Sequence, residues 1–175
     1  MKRILHVAAL AFLISGCGYA LAGRTSSLPV HIKRIGIPAF ENQSSTSELD
    51  RLVTEAVRAE FGSHRQYQIV PEATGVDAVL KGTIKTVRTN NVGFTNVQQA
   101  SRVQIEVLVG AEFKDLRDNK VLWSNQSFRN STDYDLTSST GTNDLASIFT
   151  QDRNALLRIS TDLAKSLVTQ ILDNF

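Results

Sequence analysis

The strongest constraint on the fold is a central stripe of apolar residues that alternates with polar ones. Its apolar members are Val103, Ile105, Val107, Val109, Ala111 and Phe113. Its polar members are Arg102, Gln104, Glu106, Glu112 and Lys114. A period of two places the two sets on opposite faces of a β-strand. The stripe therefore predicts a long strand with one face on a hydrophobic core and the other in solvent.

Two neighbouring segments predict further long strands. Residues from Ala78 to Ile84 alternate in the same way, and Lys120–Arg129 carries Trp123 and Phe128 after the turn-forming pair at 118–119. Because they follow one another closely, we expect the three to form an antiparallel meander. The Ser-, Thr- and Asn-rich stretch 130–143 is predicted to be a loop.

The flanking segments complete a mixed fold. Lys33–Phe40 predicts a first strand closed by Pro38, and Tyr67–Val70 a short strand or strand edge. Ser45–Glu48 has the form of a capping box before a helix that ends near Gly62, and helical periodicity returns from about residue 144 to the C-terminus. The predicted class is α+β, with a four-stranded, mostly antiparallel sheet and two helices packed on one face.

The N-terminus has the features of a bacterial lipoprotein signal peptide. Lys2 and Arg3 precede an apolar run, Ile4–Ile14, and small residues lead to Cys17. The run is shorter than the ~20 residues that span a bilayer. We therefore expect residues 1–16 to be removed and Cys17 to carry diacylglyceryl and N-acyl groups. Residues 17–30 are predicted to connect this acylated N-terminus to a single α+β domain formed by residues 31–175. The residue after Cys17 is Gly18. In the enterobacterial sorting pattern an Asp at this position favours retention in the inner membrane, so its absence favours the outer membrane.

Charge and cysteine content exclude several functions. The chain has 19 basic and 17 acidic residues, and removing Lys2 and Arg3 leaves 17 of each, a net charge of zero. Nucleic-acid binders concentrate positive charge, so no nucleic-acid partner is expected. Cys17 is the only cysteine, so an acylated chain forms no disulfide.

The sequence contains no recognisable catalytic or metal-binding motif. None of its three histidines has a partner at metal-ligand spacing, and no nucleophile elbow, phosphate loop or dinucleotide fingerprint is present. Asp133 and Asp135 are interpreted as solvated turn residues. We expect a protein that is not an enzyme and has no metal or cofactor other than its acyl groups.

A basic series is the remaining candidate site. Between Asp77 and Glu106 the chain has no acidic residue, and its basic residues there are Lys81, Lys85, Arg88 and Arg102. Parity places all of them on the solvent side except Arg88, which would point the other way unless a bulge intervenes. They could be ordinary solvated or edge-protecting side chains, or they could recognise an anionic amphiphile through its phosphates.

Three segments resemble the lipopolysaccharide-assembly lipoprotein family, LptE. Cys17–Gly23 is similar to its Cys-Gly-Tyr-x-Leu-x-Gly start, Ile35–Asn42 to its first strand and turn, and Asp77–Ile84 to its next long strand. The resemblance implies an outer-membrane lipoprotein, on the periplasmic side, that plugs the lumen of the LptD β-barrel and contacts lipopolysaccharide. Family contact residues near the long hairpin cannot be carried over, because Thr89–Ser101 has no charge.

Two alternatives remain open. Ile35–Asn42 also resembles envelope lipoproteins that activate peptidoglycan synthases, although those proteins use a long linker that this chain lacks. A lipid-anchored hydrolase would need a nucleophile and base that no local motif supplies, although residues distant in sequence could still form a triad.

The lipid anchor can be tested at its sulfur atom. We expect Cys17→Ser to abolish both acylation and signal removal, because the acyl groups are attached through this thiol. Intact-mass measurement of protein from a native envelope would show the wild type shortened and acylated and the variant neither. An unmodified wild-type chain, or one cleaved elsewhere, would contradict the prediction.

Overall fold

The computed structural model describes residues 28–94, 100–135 and 153–175, which form one mixed sheet and two helices. The strands are β1 Arg34–Gly36, β2 Glu41–Asn42, β3 Gln68–Val70, β4 Ala78–Phe94, β5 Ala100–Asp115 and β6 Lys120–Asp135. The helices are α1 Leu49–Ser63 and α2 Arg153–Leu172. Cys17, the predicted signal and connector up to residue 27, and the predicted helix start near residue 144 lie outside the described residues.

The α+β class is confirmed, but the prediction of four strands is wrong. The sheet of the described residues has six strands in the order β3-β1-β4-β5-β6, and β2 pairs separately with β4. Of the predicted first strand, Lys33–Phe40, only Arg34–Gly36 is strand, and Pro38 has no N–H for a ladder. A separate short strand, β2, follows it. β1 and β2 each pair with β4 in parallel, and β1 also pairs in parallel with β3. β1 and β3 lie within the predicted segments Lys33–Phe40 and Tyr67–Val70, whereas the two-residue β2 is too short to produce a periodic signal.

The three long strands form the predicted meander, which extends further than expected. β4 pairs antiparallel with β5, and β5 with β6. Asn130–Asp135, predicted to be loop, instead continues β6 along β5 as far as the Arg102–Asp135 pair. Its polar composition suits loops, but cross-strand pairing fixes its conformation here. Residues 136–143 of the predicted loop lie outside the described residues.

A single core joins one face of the sheet to both helices. Every apolar residue of the predicted β5 stripe is at most 2% exposed. The Phe113 ring of β5 stacks on Phe61 of α1 with 6.3 Å between the ring centroids. Leu163 and Leu167 of α2 belong to the same buried cluster. The prediction that one strand face is buried against both helices is therefore confirmed.

The predicted capping box at the start of α1 is wrong. Glu48 is itself the N-cap residue, with a left-handed φ of 63° and no side-chain cap hydrogen bond. The preceding turn is held by Asn42, whose Nδ2 donates to Thr46 O at 2.8 Å and whose Oδ1 accepts from the Ser44 N–H at 2.9 Å. Asn42 therefore orders the turn before the helix, but it does not cap the N–H groups of the helix itself.

Two carboxylates fasten the start of the described chain to the sheet. Asp77 Oδ2 accepts from the Lys33 and Arg34 N–H groups at 2.8 Å each. Both bonds lower the pKa of Asp77 below its ordinary value of 3.8, and the bond from Arg34 has the largest effect. His31 Nε2 lies 2.6 Å from Asp115 Oδ2. Burial raises the pKa of Asp115, but hydrogen bonds from the Arg117 N–H and His31 outweigh it and lower the pKa below 3.8.

Gly82 gives a test of packing on the core face. A Cβ added there would lie 2.2 Å from Cε2 of the buried Phe40 ring. We expect Gly82→Ala to reduce the free energy of unfolding by about 1–3 kcal/mol, because the ring must move from a packed position. Chemical denaturation measures the change. Gly62→Ala is the control, since nothing lies within 4 Å of its added Cβ. Equal stability of the Gly82 variant and the wild type would contradict the packing.

Asp115 gives a test of pH dependence. The pKa of Asp115 in the native state lies below the unfolded value of 3.8. Its contribution to the free energy of unfolding is therefore complete above about pH 4 and is lost as the pH falls through the native pKa. We expect Asp115→Asn to be less stable at pH 7 by about 1–3 kcal/mol, because the amide replaces a buried charged acceptor. Urea denaturation between pH 7 and pH 3 should show this difference shrinking. Asp118→Asn, exposed in the same turn, is the control. A constant deficit would refute the role of the charge.

Candidate functional site

The predicted basic residues share the solvent face of the sheet, the face that carries Glu106 and Glu112 of β5, but they are spread along it. Arg102 lies ten residues along β5 from Glu112, the partner of Lys81. Lys81 lies opposite Glu112, and Arg88 lies opposite Glu106. A register shift between Ile84 and Thr86 makes Lys85 an extra residue in β4. This bulge is what brings Arg88 to the same face as Lys81. Simple parity without the bulge would have placed Arg88 against the core.

Lys85 has a specific position within this face. Its Nζ donates to Gln126 O of β6 at 2.7 Å and therefore crosses the intervening strand β5. It crosses at Gly110, where an added Cβ would lie 2.9 Å from Lys85 Cε and 2.8 Å from Gln126 Oε1. β6 has its own register shift at the same level, between Asn125 and Phe128. Lys85 thus links two bulges across a glycine and stabilises the sheet as well as contributing charge.

Acidic residues from other strands interleave with the basic series. Arg129 Nη1 of β6 lies 3.1 Å from Glu106 Oε1, so Glu106 faces cations on both neighbouring strands. Arg102 pairs in register with Asp135. The basic run in the sequence is therefore part of a mixed-charge face. Sequence reasoning missed Arg129 because its strand register with β5 was not known.

The described residues were compared with the requirements of a metal site and of a catalytic triad. No group of three potential metal ligands occurs in ranges 28–94, 100–135 and 153–175. His31 and Asp115 resemble a base and its orienting carboxylate, but among the described hydrogen bonds none joins His31 to a hydroxyl. Asp133 was predicted to lie in a turn but is an exposed residue of β6. Gln104 Nε2 donates to Asp133 Oδ1 at 3.4 Å. Neither described helix is long and apolar enough to cross a membrane.

A second concave region lies between β6 and α2, and sequence reasoning did not identify it. Trp123 and Asn130 of β6 line it together with Lys165 and Ser166 of α2. Its walls come from two segments that are separated in the chain by residues 136–152. Trp123 was the one visible signal, because a single tryptophan in a polar strand often has a binding or packing role.

Solved structures share this fold. The chain has 18% identity to uncharacterized lipoprotein B from Nitrosomonas europaea, with 89% of this chain and 88% of that chain covered and a TM-score of 0.50. A hypothetical protein from Chlamydia trachomatis gives 13% identity, coverage of 82% and 97%, and a TM-score of 0.50. At these identities the likeness concerns the fold alone. No curated protein sequence matches the chain.

The sequence also matches a family model. This model, LptE, is described as lipopolysaccharide-assembly and matches residues 32–171, which include every described strand, α1, and all of α2 except its last residue. The match extends over most of the chain and includes the long hairpin and the core helices. The resemblance carried by Ile35–Asn42 and Asp77–Ile84 is thereby confirmed, and the chain belongs to the LptE lipopolysaccharide-assembly family.

Proposed function

We propose that this protein is an outer-membrane lipoprotein, anchored through Cys17 on the periplasmic side, that plugs the LptD β-barrel and assists lipopolysaccharide assembly. The observation that carries the proposal is the family match over residues 32–171. In this proposal the protein acts by binding and has no catalytic activity. One acyl chain anchors only marginally, so the several chains expected on Cys17 are needed for lasting attachment.

The sheet supports a plug role because it is both rigid and polar. β4, β5 and β6 each have 16 or 17 residues and are joined by long antiparallel ladders that are interrupted only by bulges. Their inner face belongs to one buried cluster, which leaves few ways for the body to deform. The solvent face alternates positive and negative side chains, and large barrels have polar interiors. Such a face can pair with lumen side chains of either charge.

The same face supports direct lipopolysaccharide contact. Lys81, Lys85, Arg88 and Arg102 provide cations on adjacent strands, and Arg and Lys bind phosphate groups well. The exposed Arg129 extends this set toward β6. Glu106 forms an ion pair with Arg129, and Glu106 and Glu112 lie opposite Arg88 and Lys81 in the strand register. In this proposal, lipid phosphates compete with these carboxylates for the same side chains.

One experiment tests both partners. A tagged chain purified from its native envelope should bring down a large β-barrel and lipopolysaccharide. Reversing Lys81, Lys85, Arg88 and Arg102 to Glu should reduce co-purified lipopolysaccharide at least about fivefold, because contacts to phosphate require the positive charge. Mass spectrometry identifies the barrel, and a lipid A assay measures the lipopolysaccharide.

Two controls make the outcome decisive. Reversing exposed Lys33, Arg65, Arg117 and Lys120 changes the net charge equally but leaves the solvent face intact. Lys85→Met removes only the bridge to Gln126 and reports its effect on folding. Lipopolysaccharide retained by the reversed but folded variant would refute the contact set. A cell-wall synthase recovered in place of the barrel would support the alternative function.

A further inference from the structure

Exposed apolar side chains gather at one end of the sheet, where β4 begins and β5 ends. We call this end the base. Among residues 28–94, 100–135 and 153–175, the exposed large apolar side chains are those of Val30, Val92, Leu116, Val121, Leu157 and Phe175. Single exposed apolar residues are ordinary in proteins, whereas several at one place indicate an interaction surface.

Two of these side chains are brought together by hydrogen bonds at the base. His31 Nε2 lies 2.6 Å from Asp115 Oδ2, and Val30 and Leu116 are the chain neighbours of those two residues. The Leu116 N–H in turn donates to Asp77 O at 2.9 Å, just before β4 begins. Val30 is 86% exposed, which is the highest fraction among the exposed apolar residues. The pair is therefore held in place by contacts of its neighbours while its own side chains face solvent.

Val121 adds a third apolar side chain at the same end. It lies opposite Lys114 in the β5–β6 ladder, two residues before Leu116 in the chain. We call Val30, Leu116 and Val121 the base patch. Of the remaining exposed apolar residues, Val92 lies near the hairpin end of β4, and Leu157 and Phe175 lie at opposite ends of the C-terminal helical segment.

The base patch has cations around it. The exposed basic residues of the base are Lys33, Arg34, Arg117 and Lys120. Two of the acidic groups there have partners inside the fold, because Asp77 accepts from two backbone N–H groups and Asp115 is buried against His31. Asp118 is exposed in the β5–β6 turn. Apolar side chains with cations beside them suit the interface of a bilayer, where acyl chains lie beneath phosphates.

The chain before the described residues limits what can cover the base patch. Leu28 is buried, and its N–H donates to Tyr67 Oη at 3.1 Å, beside the start of β3. The chain therefore enters the described structure at the base. Cys17 lies eleven residues before Leu28, and eleven residues span at most about 40 Å in any conformation. A tether of this length gives an effective concentration on the order of millimolar, so even a small patch can be occupied.

We propose that the base patch contacts the phospholipid surface of the membrane that holds the acylated Cys17. Its apolar side chains lie at the level of the head groups, and the surrounding cations pair with phosphates. This inference rests on the lipid anchor of the proposed function and adds a second point of contact to it. Acyl chains alone leave the orientation of the body free, whereas two contacts make the meander stand away from the membrane.

A fluorescent label can test the contact, because the chain has one cysteine and acylation blocks it. Asp118→Cys places a single free thiol in the base turn, and Asn90→Cys places one near the hairpin end. The probe is the acylated full chain in vesicles of phosphatidylethanolamine and phosphatidylglycerol. We expect a polarity-sensitive label at 118 to emit at shorter wavelength and to be quenched by spin-labelled phospholipid, and a label at 90 to do neither. Equal quenching at both positions would contradict the proposal.

Matched variants separate the base patch from the anchor, which all of them retain. The triple variant Val30→Ser, Leu116→Ser and Val121→Ser removes the patch, and Val92→Ser with Leu157→Ser removes exposed apolar side chains elsewhere. We expect quenching at position 118 to fall at least about fivefold in the first and to stay unchanged in the second, because the contact depends on buried apolar area. Val30→Ser alone, outside every described strand and helix, replaces the triple variant if that folds poorly. Full quenching in a folded patch variant would overturn the proposal.

Other occupants of the base patch give different results. A label shift in detergent that grows with protein concentration would indicate a second copy of the chain. A shift that requires the co-purified barrel and not the bilayer would assign the patch to that protein. Either result would overturn the membrane contact.

The outcome can also be separated from the fate of the proposed function. If the barrel co-purifies but the label at 118 remains unquenched, the membrane contact fails while the lipoprotein role stands. If the label is quenched and no barrel is recovered, the contact stands and the plug role fails. An unmodified Cys17 would overturn both, because each depends on the anchor.

Discussion

The antiparallel ladder between β4 and β5 is the interaction on which the other elements depend. It runs from the Ala78–Asp115 pair to the Phe94–Ala100 pair, and it offers an edge on each side. β1 and β2 attach in parallel to the β4 side, and β6 attaches to the β5 side. The helices cover the face that carries the Val103–Phe113 stripe. Without this ladder, the short parallel strands would have no partner long enough to order them.

Bulges in this ladder determine which charged side chains lie on the solvent face. The extra residue at Lys85 shifts the register of the following β4 residues by one position, as far as the next register shift after Asn91. Arg88 therefore lies on the same face as the other cations. The shift in β6 brings the Gln126 carbonyl within reach of the same lysine. Gly110 leaves the space through which that contact passes. Charge placement here therefore follows from backbone irregularity as much as from composition.

Sequence patterns predicted the parts of the structure whose signals are repeated over many residues. The alternating stripe of β5 predicted a long half-buried strand, and the apolar spacing after Glu48 predicted α1. β1 and β3 lie within segments that were predicted to be strands, but β2 was missed, because two residues carry no period. The parallel pairing of all three short strands was also missed, because it is set by distant segments. The polar end of β6 was assigned to loop because Ser, Thr and Asn favour turns when no neighbouring strand is considered.

The candidate sites show the same limit. The basic series was visible because its members lie close together in the sequence, whereas its carboxylate neighbours Glu106 and Glu112 became apparent only through strand register. The concave region was invisible because β6 and α2 supply its two walls from separate parts of the chain. Asp77 gave no sequence signal either, since its partners are backbone N–H groups more than forty residues earlier.

The attachment of the chain start to one end of the meander gives the molecule a direction. His31 and the N–H groups of residues 33 and 34 are fixed to Asp115 and Asp77, where β5 ends and β4 begins. β4 then runs for 17 residues, and at about 3.3 Å per residue its hairpin end lies roughly 55 Å away. Any attachment of the chain before Leu28 is therefore made at this end of the meander, and the β4–β5 hairpin extends away from the point of attachment.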